Sequence, residues 1–154
     1  MTTDELREEI NLEIELIDML LQEISALRAE VAAREPLTRE KTAAAAFLAQ
    51  FYSGVENILK RISKFHNLPL PTGDTWHLDL FKRFCSPAQP PLPELFDESL
   101  AVGLAPFRQF RHVVYHNYGF QLDWERMREG IEKVADIFSK IKAQLTKYLE
   151  SLDL

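Results

Sequence analysis

Ile10, Ile17, Ile24 and Val31 recur every seven positions, and Leu6, Ile14, Leu20, Leu21 and Leu27 fill the three- and four-residue steps between them. Only a helix puts residues at that spacing on one side, so the segment predicts a long helix over 3–34 whose seam packs inside a bundle or across a dimer. Glu35-Pro36 ends it, because a residue before proline disfavours the helical region. A chain that opens with some thirty residues of such a pattern must find other helices to cover the seam.

The rest of the sequence supplies them. Phe47, Phe51, Val55, Ile58, Ile62 and Phe65 mark a second helix from about Thr38 to Phe65, with four consecutive alanines that permit close approach. Pro69, Pro71 and Gly73 form a turn, after which Asp74 or Thr75 caps a short helix running to Phe84. Four prolines between Ser86 and Pro93 make that stretch an ordered loop. A fourth helix is expected over about 94–118, with Leu100, Leu104, Phe107, Phe110 and Val114 inward, Pro106 as a kink or restart point and Gly119 as its stop. Asp123 caps a last helix carrying Ile131, Val134, Phe138, Ile141, Leu145 and Leu149. The fold class is therefore all-α, a four- to five-helix bundle, and residues 1–154 form a single domain.

The net charge of −6 argues against a dense basic nucleic-acid face, but the acidity is uneven. Residues 1–40 hold 11 acidic and 4 basic side chains, leaving 13 acidic and 14 basic in the remainder, so a local cationic pocket is compatible with the total. Lys60, Arg61 and Lys64 cluster on the outer side of the second helix and read as a solvated face or an RNA track. One cysteine, Cys85, has no partner for a disulfide, and no stretch has the pattern of a signal peptide or membrane span. The expectation is a cytoplasmic, reduced protein with no membrane contact.

Chemistry-bearing residues concentrate in one run, Arg108-Gln109-Phe110-Arg111-His112-Val113-Val114-Tyr115-His116-Asn117-Tyr118-Gly119. At about 100° per residue, Arg111, Tyr115 and Tyr118 share one helix face and His112 and His116 form an i, i+4 pair beside it. Arg111 and His116 are then about 140° apart, which points to a composite site built by a long arginine, a loosened helix end or a second copy of the helix. Such a pair suits RNA cleavage by internal transfer, because histidine moves protons near neutral pH and arginine holds a phosphate as charge builds.

Arg111-x4-His116-x-Tyr118 resembles the R-x4-H-x-Y motif of HepT-like toxins, the HEPN halves of HEPN/MNT toxin–antitoxin pairs. The segments Tyr52-Ser-Gly-Val-Glu-Asn-Ile-Leu-Lys-Arg-Ile62 and Gly73-Asp-Thr-Trp-His-Leu-Asp-Leu-Phe81 resemble the same family. The resemblance implies a helical homodimer whose motifs meet at the interface. It implies a metal-independent endoribonuclease acting on tRNA or mRNA, with Arg111 and His116 catalytic and no cofactor. It also implies an MNT-type nucleotidyltransferase antitoxin that uses ATP to attach AMP to the motif tyrosine, Tyr118. His112 stands where the family often has asparagine, and Tyr115 offers a second hydroxyl; His112, Asn117 and Tyr115 are taken as supporting residues. Glu56 and Asn57 read equally as site support or as interhelical contacts, His66 and His77 as structural or exposed, and Trp76 and Trp124 as packing against the bundle. Two other readings stay open: a non-catalytic HEPN-like module that binds a nucleotidyltransferase or nucleotide, and a metal site on His112 and His116 that lacks further ligands.

Overall fold

The computed structural model describes residues 1–153. Five α-helices follow one another: α1 Thr3–Glu30, α2 Thr38–Phe65, α3 Trp76–Lys82, α4 Glu98–His116 and α5 Trp124–Ser151. A one-turn 3-10 helix, Gly119–Gln121, separates the last two. Among the described residues the extended pairing is confined to an isolated bridge between Cys85 and Phe96, so the fold is all-α, a HEPN-type bundle. No helix among them is long and apolar enough to cross a membrane.

The heptad seam of α1 is spent inside the bundle. Ile10, Ile17 and Ile24 are almost fully buried together with Leu6 and Leu27, and α1 packs on α2 and α5. Each such aliphatic side chain contributes about 1.5–3 kcal/mol when withdrawn from water. A charged residue sits in this seam: Glu13 is buried and accepts from Arg61 of α2, which also pairs with Glu9 at 2.8 Å. Arg61 is thereby removed from the basic cluster, and Lys60 lies over the Trp76 ring at 4.6 Å, so the row on α2 is largely occupied by intramolecular contacts.

α1 is shorter than its apolar pattern suggests. It ends at Glu30, with Val31 as C-cap, and residues 31–34 form turns instead of the expected last helical turn. Arg34 reaches across this corner to Glu40 of α2 through two bonds of 2.7 Å, and Glu40 also accepts from the Leu37 N–H at 2.8 Å. The cap residue Leu37 has no side-chain oxygen, so Glu40 does the capping from within the first turn. Thr75 starts α3, but its hydroxyl binds the Asp79 carboxylate rather than a backbone N–H.

α4 also differs from the expected 94–118. It begins after Asp97, whose Oδ1 accepts from the Leu100 N–H at 2.8 Å, because Leu95 and Phe96 donate to the Phe84 carbonyl and are held outside the helix. It ends at His116: Asn117 is extended, and Gly119 opens the 3-10 turn instead of stopping the helix. Pro106 does not restart it. The hydrogen bond that proline removes would have gone to the carbonyl of Val102, a residue on the exposed side of the helix.

α2 is the hub, contacting α1, α3, α4, α5 and the 3-10 turn. Its approach to α1 depends on Gly54, where a Cβ would lie 2.8 Å from Ile17 Cγ1 and 2.9 Å from Cδ1. The opposite side of α2 carries Ser53, Glu56 and Lys60 at i, i+3 and i+7, facing α3 and α4. That face is where the polar groups meet.

Candidate active site

A cleft of about 370 Å³ lies between α3 and α4, bounded by His77, Arg108, Arg111, His112, Tyr115 and His116 among others. Larger hollows exist, including one of about 630 Å³ between the 93–100 segment and α5, but its lining holds no histidine. The α3–α4 cleft brings arginines and histidines together in its lining.

Arg111 is only partly exposed, and two elements hold it. Its Nε donates to Ser53 Oγ of α2 at 3.1 Å, and a terminal nitrogen lies 3.0 Å from His77 Nε2 of α3. His77 Nδ1 in turn lies 2.5 Å from Glu56 Oε2. Arginine has no acceptor, so His77 Nε2 must present its lone pair and Nδ1 must donate to the carboxylate. Glu56 is 2% exposed, and the ring of Trp76 lies 3.5 Å from that of His77. The Tyr115 ring flanks Arg111 at 5.5 Å, within cation–π range.

His116 belongs to the same cleft wall, exposed, with its ring 4.2 Å from that of His112. Arg111 and His116 therefore line one hollow within a single chain, although they point apart around α4 as the helical geometry requires. The i, i+4 histidine pair forms as expected. Among the described residues, no group of three or more His, Cys, Asp or Glu gathers around a common point that could hold a metal ion.

Tyr118 is placed differently from the expectation that it shares a helix face with Arg111. The helix has ended two residues earlier, so Tyr118 stands on extended backbone, 71% exposed, outside the cleft lining and stacked on Phe120 at 5.5 Å. Asn117 turns its amide back to the Val113 carbonyl at 2.8 Å and so caps the last turn of α4. Gly119 presses on the start of α2, where a Cβ would collide with the Thr42 hydroxyl. This contact anchors the segment that carries Tyr118.

Sequence reasoning missed Ser53 and His77 as site residues and left Glu56 undecided. The available signal was Glu56 itself, an acid between the apolar neighbours Val55 and Ile58, which has to find a partner if it is buried. Asn57 is exposed and takes no part. His66 lies elsewhere, 2.7 Å from the Tyr148 hydroxyl, with burial lowering its pKa. Cys85 donates to the Phe81 carbonyl, and burial pushes its thiol up, the opposite of what a thiolate nucleophile needs. Trp76 has Lys60 over its ring and the His77 ring 3.5 Å away, and Trp124 packs partly buried against the core at the start of α5.

Residues 43–152 match the family described as HepT-like protein. The chain belongs to the HepT-like family. The match takes in Ser53, Glu56, His77, Arg111, His116 and Tyr118 and leaves α1 outside it. No curated protein and no solved structure gives a significant match. Membership in the HepT-like family places the chain among HEPN toxins of toxin–antitoxin modules, whose general activity is that of a ribonuclease.

Proposed function

We propose that this HepT-like chain is a metal-independent endoribonuclease toxin that cuts RNA at the α3–α4 cleft. The observation that carries the reading is the cleft wall that bears both an ordered arginine and an exposed histidine. The Arg111 guanidinium has five N–H donors, of which two are engaged by Ser53 and His77; three remain for a phosphate. His116 takes the proton from the substrate's 2′-hydroxyl. The 2′-oxygen forms a bond to the adjacent phosphorus, the bond from phosphorus to the 5′-oxygen breaks, and that oxygen leaves with a proton. The products are a 2′,3′-cyclic phosphate and a 5′-hydroxyl. Arg111 stabilises the charge gathering on the phosphate oxygens, and no water or metal enters the step.

Arg111 and His116 diverge around α4, and a homodimer that juxtaposes two clefts supplies the second proton carrier, either the other copy's His116 or a Tyr118. The partner that silences the toxin is an MNT-type nucleotidyltransferase. In that reaction the Tyr118 hydroxyl oxygen attacks the α-phosphorus of ATP, pyrophosphate leaves and the phenolic proton is lost. The exposure of Tyr118 supports this role, because an acceptor for another enzyme must stand clear of its own fold. The added phosphate brings negative charge and bulk near Arg111 and His116 and excludes RNA.

The test is to express the chain alone and as His116→Ala, and to compare growth arrest and cleavage of total RNA in EDTA by the purified proteins. Cleavage that survives EDTA and is lost in His116→Ala supports the reading. A folded, unmodified parent that cuts none of the main RNA classes instead favours a HEPN-like module that only binds its nucleotidyltransferase.

A further inference from the structure

We propose that His77 and Glu56 are positioning residues that aim the Arg111 guanidinium into the cleft, a role that rests on the reading of Arg111 as the phosphate-binding group. The three groups come from three helices, α2, α3 and α4, and form one line: carboxylate, imidazole, guanidinium. Because Arg111 can only donate, the line has one consistent proton arrangement, with the imidazole proton on Nδ1 toward Glu56 and the lone pair on Nε2 toward Arg111.

Each part has a physical reason to be there. A carboxylate that is 2% exposed between packed helices is costly unless hydrogen-bonded and balanced by a positive charge. Glu56 has the imidazole N–H against it and the Arg111 charge on the far side of the ring. Trp76 lies against the imidazole face and is itself covered by Lys60, which fixes the plane in which Nε2 points. Ser53 holds Nε from the neighbouring turn of α2, so the guanidinium is tied at two of its nitrogens rather than one. An arginine held in this way loses little orientational freedom when a phosphate arrives, which is what a group acting on a transition state needs.

The clamp is read directly on the full ¹⁵N-labelled chain. Imidazole ¹⁵N–¹H correlation spectra report the His77 tautomer, and the {¹H}–¹⁵N NOE of Arg111 Nε reports its order. His77→Asn keeps a donor toward Glu56 but has no acceptor reaching Arg111, whereas His77→Gln extends an acceptor to about the Nε2 position. The expected results are a proton on Nδ1, an ordered Arg111 in the parent and in His77→Gln, and a mobile one in His77→Asn at unchanged thermal stability. On an oligoribonucleotide, kcat of His77→Asn falls roughly 10- to 100-fold with a smaller change in KM, and His77→Gln, which restores the acceptor toward Arg111 but not the donor toward Glu56, recovers part of it. A proton on Nε2, equal order of Arg111 in parent and His77→Asn, or full activity of a folded His77→Asn overturns the proposal. The tautomer measurement needs no variant, so poor folding of one leaves the proposal open to refutation. A parent that cleaves no RNA removes the ribonuclease reading instead, and the spectra then decide the clamp alone.

Discussion

Gly119 shows how one missing Cβ locates the segment that carries Tyr118. Its backbone lies against Thr42 and Thr38 at the start of α2, and that contact fixes where the exposed Tyr118–Phe120 stack emerges. Gly119→Ala drives a methyl into the Thr42 hydroxyl and is expected to destabilise the protein by about 1–3 kcal/mol, the usual range for overpacking. Urea unfolding checks it, and Gly119→Ala combined with Thr42→Ala should recover part of the loss; additive losses would refute the contact as the cause. Asp97 makes a different single-residue contribution. Its carboxylate receives the Leu100 N–H, so Asp97→Ala should cost about 1 kcal/mol in the same assay. Its partner at the other end of α4, Asn117, was legible as a polar neighbour of the motif, but its role as a cap was not, because the helix end depends on contacts outside the helix.

At the scale of elements, the corner between α1 and α2 rests on Glu40. Its hydrogen bonds to Arg34, then to the Leu37 N–H, hold its carboxyl down to about 2, well below the usual carboxylate value of 4.5. The folded form therefore binds this proton less readily than the unfolded form does. The resulting stabilisation is fully present above about pH 4.5 and is lost as the pH falls toward 2. The urea midpoint of the parent should exceed that of Glu40→Gln at neutral pH, and the gap should close across that window; a gap unchanged at pH 2 would refute the linkage. The α1 pattern, read alone, runs to residue 34. The observed end at Glu30 reflects this corner, where the Arg34–Glu40 pair and the cap at Leu37 outweigh one more helical turn.

Across the whole molecule, the ends of α2 and α5 are joined by His66 and Tyr148, 82 positions apart in sequence and 2.7 Å apart in space. Burial pushes the Tyr148 hydroxyl up to about 12 from its usual 10.0. For a group whose folded pKa is raised, the stabilisation is complete below the unfolded value and disappears as the pH rises through the folded one. Tyr148→Phe should be weaker than the parent by about 0.5–1.5 kcal/mol at neutral pH, the net worth of one hydrogen bond. Between pH 10 and 12 the parent should lose stability faster than the variant, as followed by circular dichroism; parallel losses would refute the assignment.

The sequence by itself determined the helices and the sides they bury, since an apolar period of three to four leaves a chain of this size few other ways to cover Ile10, Ile17, Phe51 or Phe138. It also marked the stretch where polar side chains concentrate, because Arg111, His112 and His116 lie within six residues of one another. Tertiary structure alone decided what surrounds Arg111. Ser53 and His77 lie 58 and 34 positions away, and no local rule pairs them with it. They meet because α2 runs beside both α3 and α4, and because a buried Glu56 carboxylate is stable only with a hydrogen bond, here from His77, and a compensating charge, here on Arg111 beyond the ring.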